Sequence, residues 1–197
     1  MRVYLIRHGQ SYQNTNDLRQ AISVEDFRRL VADSHSSELT PTGIEQAQQA
    51  AAQLATLGLT QLYASPYLRA QQTAAIISAA VGLPVVTINA LHEVNPLIPP
   101  VLRRNRMRSL GSLYVRGYLH QMWPHRPESG ETWWAVRQRI AAVWRDLNAE
   151  WRPSNRPALV AHRGFIWSAL RYLDDLPGWQ VVRRELDNAG ISEVAQV

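Results

Sequence analysis

The sequence predicts an α/β sandwich built as one domain. Short apolar runs alternate along the chain with segments whose apolar residues recur at helical spacing, which is the pattern of strands packed against helices. At 197 residues the chain is long enough to bury a full core without disulfide or metal staples. Three of the apolar runs are followed within a few residues by histidine or arginine, and open α/β sheets bind ligands outside the carboxyl ends of their strands.

The first run, MRVYLIRHGQS, carries the strand formers Val3, Leu5 and Ile6, and Gly9 permits a sharp turn where the strand stops. His8 then sits at a strand end with Arg7 beside it, a pair suited to an anion. TPTGIEQAQQAAAQLATLG places Ile44, Ala47, Ala51 and Leu54 at helical spacing and is expected to end at Gly58 as a C′ glycine. QLYAS is a short strand that leads into a helix over YLRAQQTAAIISAA, with Arg69 just past the strand end. VVTI is a further strand, followed by LHE with Glu93. The stretch 95–129 reads as irregular, with Pro96, Pro99 and Pro100, then the basic run RRNRMR and the segment SLYVRGYLHQMW. GETWWAVRQRIAAVWRDLNAEW reads as a long helix with Trp133, Val136, Ile140, Val143, Trp144, Leu147 and Trp151 on its apolar face. PALVAH is a buried strand ending on His162, GFIWSALRYL a helix and ISEVAQV a closing strand.

Composition narrows the chemistry. The chain is 46% hydrophobic and 19% charged, with no apolar run near the ~20 residues of a membrane span, so a cytosolic protein with no membrane partner is expected. Cysteine is absent, which excludes disulfides, thiolate nucleophiles and cysteine zinc sites. All 21 basic residues are arginine, which excludes the P-loop lysine and Schiff-base chemistry. The net charge of +5 favours an acidic ligand, and arginine suits bidentate binding of phosphate or carboxylate. His35, His92, His120 and His125 match no zinc spacing and read as ordinary surface or half-buried histidines. Arg103, Arg104, Arg106 and Arg108 are either a solvated face or a grip on a second acidic group of a substrate; the run is too short, and too far from any recognised motif, for a nucleic-acid partner to be expected.

The segments LIRHGQSYQN (5–14), ELTPTGIEQA (38–47), ASPYLRAQQTA (64–74), LHE (91–93), SGET (129–132), LVAHRG (159–164) and NAGIS (188–192) together resemble the histidine phosphatase superfamily, the phosphoglycerate-mutase-like group, in the family's order and over nearly the whole chain. The resemblance implies a three-layer α/β/α sandwich with a mixed, mostly parallel sheet, and a cap inserted at about 94–129. It also implies that His8 is the phosphorylated histidine, Arg7 and Arg69 the phosphate-binding arginines, His162 the second histidine and Glu93 the proton donor. Asn14 would join the phosphate pocket, with Gln10 and Arg163 as further substrate contacts. No cofactor and no metal are implied. Neutral imidazole is a competent nucleophile near pH 7, guanidinium groups can stabilise the charge on a transferring phosphoryl group, and a carboxylic acid can protonate the departing alkoxide. The implied activity is hydrolysis of a small phosphomonoester through a phosphohistidine.

A phosphoglycerate mutase, a phosphatase acting on protein phosphohistidine and a non-catalytic binder of a phosphorylated ligand remain as alternatives. A pure binder has no need of His8, Glu93 and His162 together. The sequence departs from the family at three places. Position 10 is Gln where Glu is common, the usual glycine-rich continuation after LHE is replaced by VNPLIPPVLRR, and His162 is followed by Arg163 where Gly is frequent. The catalytic set is untouched by these changes, but the substrate is left open, since cap and pocket mouth choose it.

Overall fold

The structure is a computed structural model that describes residues 1–96, 107–122 and 130–197. Its strands and helices, in chain order, are β1 (Arg2–Arg7), β2 (Ala21–Ile22), α1 (Val24–Ala32), α2 (Pro41–Leu54), β3 (Gln61–Ala64), α3 (Leu68–Val81), β4 (Val85–Thr87), β5 (Arg108–Ser109), α4 (Leu110–His120), α5 (Trp133–Glu150), β6 (Pro157–Ala161), α6 (Arg163–Asp174), β7 (Trp179–Arg183) and β8 (Ile191–Gln196).

A six-stranded sheet runs β4-β3-β6-β1-β8-β7. β4, β3, β6 and β1 are mutually parallel, and β8 is antiparallel to both β1 and β7. The sheet is thus mixed and mostly parallel, as expected. The period of two along β1 explains the layers. Val3 and Leu5 point into a core shared with α5 and α6, while Tyr4 and Ile6 join a second core with α2 and α3. β6 is buried at all five positions, as befits a central strand covered on both faces. A third, smaller core joins Val24 and Phe27 of α1 to Leu110 and Leu113 of α4, and β2 pairs with β5 beside it. Among the described residues no helix is long and apolar enough to cross a membrane.

Local chemistry sets the helix ends. Thr40 caps α2 by accepting the Gly43 amide, and Pro41 occupies the first turn, where its missing N–H costs nothing. Gly82 ends α3 in the left-handed conformation, at φ +71°.

Several expectations are corrected. α2 stops at Leu54, short of Gly58, because Thr56 Oγ1 and the amides of residues 55–57 turn back onto its last carbonyls. The stretch read as irregular contains β5 and α4. The helix α1 and the strands β2 and β7 were not foreseen: α1 buries only Val24 and Phe27 among charged neighbours, and β7 is an edge strand with Val182 exposed. Trp133 leaves the apolar face of α5 and is 37% exposed, while Val136, Ile140, Val143, Trp144, Leu147 and Trp151 are buried as read. Arg103, Arg104, Arg106 and His125 lie outside the described residues, and Arg108 sits in β5.

Candidate active site

The parallel register of β1, β6 and β3 pairs Arg7 with Ala161 and Ala64 with Val160. The residues that follow, His8, His162 and Ser65, therefore emerge at one edge of the sheet. Two glycines press the His8 loop onto α2. A Cβ on Gly9 would lie 2.3 Å from the Gly43 carbonyl oxygen, and one on Gly43 would lie 2.0 Å from that of Gln10. Both contacts are backbone against backbone, so neither position can yield to a side chain. The Gly9 amide also donates to Thr73 Oγ1 at 3.1 Å, tying the loop to α3.

His8 is buried, and its two ring nitrogens meet partners of opposite kind. Nδ1 is 2.6 Å from the carbonyl oxygen of Gly9, which can only accept. Nε2 is 3.0 Å from the Nε of Arg69, which can only donate. The imidazole is thereby held neutral, with its proton on Nδ1 and its lone pair on Nε2. Burial first, and then the Arg69 charge, hold its pKa well below the ordinary histidine value.

His162 is fully buried 5.1 Å from His8, ring centroid to centroid and edge-on. Its Nε2 lies 2.7 Å from Ser65 Oγ, which accepts the Tyr67 amide at 3.4 Å and so has its own proton to give. A Ser65 hydroxyl that donates to Nε2 leaves the N–H on Nδ1, which is buried without a hydrogen-bond partner. Burial, with His8 and Arg69 nearby, lowers the His162 pKa well below the ordinary value.

Two arginines flank the pair. Arg69 is 3% exposed, donates through Nη1 to the Ser34 carbonyl and lies over the Tyr67 ring at 5.0 Å. Arg7 donates to the Leu186 carbonyl at 2.8 Å, while its Nε is buried without a partner. Orphaned buried donors are rare in native proteins, and here Arg7, next to His8 in the chain, and His162, packed on its ring, each have a buried nitrogen without a partner.

Glu93 completes the group. Its Oε1 accepts the amides of Val94 at 2.8 Å and Phe165 at 3.2 Å. Burial nevertheless raises its pKa, against those two amides and the charges of Arg69 and Arg7. A Cβ on Gly164 would lie 2.7 Å from the same oxygen, so a side chain there would push the Glu93 carboxylate aside. The segment carrying Glu93 is gripped from α5. Arg139 donates through Nη1 to the carbonyls of Ala90 and His92, at 2.6 and 3.0 Å, and its Nε and Nη2 form a bidentate pair with Glu131 at 2.8 and 2.5 Å. Its guanidinium also lies 5.5 Å from the ring of Phe165, whose amide holds Glu93.

Arg7, His8, Asn14, Arg69, Glu93 and Arg163 all line one cleft of about 940 Å3, and His162 packs edge-on against His8 with ring centroids 5.1 Å apart. Arg163 is exposed on the cleft wall. Asn14 uses Oδ1 to hold the Ser11 amide and hydroxyl. Gln10 is the exception: it does not line the cleft, and its Oε1 accepts the Thr40 hydroxyl at 2.8 Å, so its side chain braces the start of α2. Ser65, Arg139 and Glu131 were missed as supporting residues, although ASPYLR and SGET both carry the family resemblance. Also missed were Tyr114, Tyr118 and Trp167, which line the outer cleft; nothing in the sequence marks them apart from other aromatics.

This arrangement can be set beside known proteins. A model of the histidine phosphatase superfamily, branch 1, matches residues 3–196. The probable phosphoglycerate mutase GpmB of Cronobacter sakazakii is 30% identical over 200 residues, which span 98% of this chain and 84% of that protein. Among solved structures, a mycobacterial glucosyl-3-phosphoglycerate phosphatase superposes with a TM-score of 0.67 at 23% identity, covering 98% of this chain and 91% of that one. A phosphoserine phosphatase of Entamoeba histolytica gives 0.64 at 22%, covering 98% and 89%. These structures share the fold, the family match spans the strand ends that gather the two histidines and two arginines, and the chain belongs to the histidine phosphatase superfamily.

Proposed function

We propose that the protein hydrolyses a phosphomonoester in two steps through a phosphohistidine on His8. The observation that carries this reading is the opposed pair of hydrogen bonds on the His8 ring, with Gly9 fixing the proton on Nδ1 and Arg69 facing the lone pair on Nε2. In the first step Arg69 turns its N–H from Nε2 to a phosphoryl oxygen, and Nε2 attacks phosphorus. The P–N bond forms as the P–O ester bond breaks. Arg7 Nε, Arg69 and His162 Nδ1 hold the equatorial oxygens, where positioning and charge stabilisation supply most of the catalysis. Glu93, protonated with the help of its raised pKa, gives its proton to the leaving oxygen. In the second step the Glu93 carboxylate takes a proton from water, the water oxygen attacks phosphorus, and the P–N bond breaks to release inorganic phosphate and neutral His8.

The reaction supplies its cations as fixed guanidinium groups, and Asn14 and Arg163 extend the same pocket. A mutase reading is kept by the name of the relatives, and it differs only in where the phosphoryl group goes. Turnover of phosphoglycerate and of p-nitrophenyl phosphate in heavy-oxygen water separates the two. The phosphatase releases phosphate carrying one heavy oxygen from either compound; conversion of one phosphoglycerate isomer to the other without phosphate release would replace this reading by the mutase.

A further inference from the structure

We propose that the substrate's leaving group is an apolar alcohol, seated on a wall made by α4 and Trp167. The proposal rests on the phosphatase reading and adds the substrate class to it. The cleft is far larger than a phosphoryl group, and its two sides differ in kind. Its cationic lining residues among those described are Arg7, Arg69 and Arg163, each at or within five residues of a strand end. α4 contributes Leu110, Gly111, Tyr114, Val115 and Tyr118, which recur at helical spacing and form one uncharged face. Trp167 of α6 adds a further indole surface and is itself packed on Trp133, with ring centroids 5.2 Å apart.

This wall is open. Val115 is 60% exposed, Tyr118 43% and Trp167 41%, and an exposed apolar patch of this kind marks a surface that is covered in use. Its place in the reaction follows from the lining it shares with the reactive groups, because Arg7, His8 and Glu93 border the same cleft as Tyr114, Tyr118 and Trp167. The Tyr118 hydroxyl is pushed up by burial and then by the Glu93 charge, and Tyr114 feels both Arg69 and Glu93. The wall therefore borders the same cleft as Glu93, the proton donor of the proposed reaction. An alkyl or aryl tail gains by leaving water against Leu110, Val115 and Trp167, whereas a polyhydroxyl or carboxylate tail would find on this wall only the hydroxyls of Tyr114 and Tyr118 as partners.

The test is the rate constant for phosphoenzyme formation, as kcat/KM, over n-alkyl phosphates from ethyl to hexyl. Their leaving groups have nearly the same acidity, so the chemistry is constant along the series. The expected result is a rise of about two- to fourfold per methylene, with phosphoglycerate below butyl phosphate. Val115→Asn and, independently, Trp167→Ala should flatten the slope; the first changes an exposed side chain and does not touch the core. A slope of zero or less, or a phosphoglycerate rate above that of hexyl phosphate, overturns the proposal while leaving the phosphatase reading standing if p-nitrophenyl phosphate still phosphorylates His8. Absence of phosphoenzyme with every compound, p-nitrophenyl phosphate included, overturns both.

Discussion

The two sides of the cleft are built on different principles. On the strand-end side each reactive group is fixed by a partner of definite chemistry: Gly9 and Arg69 on His8, Ser65 on His162, Leu186 on Arg7, and two amides on Glu93. On the α4 side the side chains pack on one another and on α1, as Tyr114 does on Phe27 at 5.0 Å. The first side determines geometry to fractions of an ångström, as phosphoryl transfer needs. The second offers area, and area selects by size and polarity. Under the proposed reading chemistry and selectivity are separately encoded, so changes on one side should leave the signature of the other intact.

Glu93→Gln makes the deepest cut in that comparison. It abolishes proton delivery while keeping shape, so phosphorylation of His8 by alkyl phosphates should slow by about 10³-fold, within the 10²–10⁴ typical of general acid catalysis. Phosphorylation by p-nitrophenyl phosphate, whose leaving group hardly needs a proton, should change little. Single-turnover quench measures this step alone; equal slowing with both classes would remove Glu93 as the acid.

Arg69→Lys acts on every substrate alike. Lysine keeps the charge but loses the planar fork, and charge-assisted bonds are worth about 1.5–3 kcal/mol each, so phosphoenzyme formation should fall by about 10²-fold with alkyl and nitrophenyl leaving groups. A variant within twofold of wild type would show that the guanidinium of Arg69 does not hold the phosphoryl group.

Arg139 separates positioning from chemistry. It does not line the cleft, yet it holds the backbone on both sides of Leu91 and so places Glu93. Arg139→Gln should reproduce the Glu93 pattern in miniature, about tenfold slower with alkyl phosphates and near wild type with p-nitrophenyl phosphate. A loss of thermal stability with equal slowing of both classes would make it a purely structural clamp.

How much of this was legible in the sequence follows from distance along the chain. Arg7, His8, Arg69 and His162 stand within a few residues of strand ends, so alternation and a glycine suffice to place them on one edge. The state of His8 depends on Arg69, 61 residues away, and no local pattern encodes that approach. The Arg139 to Glu131 fork is likewise visible only once α5 is docked. α4 was missed because its segment contains Gly111 and Gly117, which weaken a helical reading; Gly111 is explained by the Leu18 carbonyl oxygen, which would stand 3.2 Å from a Cβ there. Gln10 was expected as a substrate contact from the family resemblance, whereas the partner its side chain has in the structure, Thr40, lies 30 residues further on.

The smallest expected effect is on stability against pH. His8 and His162 stay neutral in the native state below their ordinary value of 6.5, whereas the unfolded chain takes up protons there, so stability should fall as the pH drops from about 6.5. Glu93 works the other way, because its raised value lets the native state bind a proton first. Melting temperatures between pH 7 and 5 should therefore decline, and the decline should be shallower in His162→Asn. An identical decline in the variant would mean that the buried ring is not the source.

The central claim is that Nε2 of His8 is the nucleophile because its other nitrogen is committed to Gly9. The direct measurement is to trap the phosphoenzyme by rapid quench, keep it in base, and determine which ring nitrogen carries phosphorus by fragmentation and by phosphorus–nitrogen coupling in labelled protein. The account predicts a single acid-labile, base-stable phosphohistidine at His8 with phosphorus on Nε2, absent from His8→Ala. Phosphorus on Nδ1, or on His162, or a fully active His8→Ala enzyme, would contradict it.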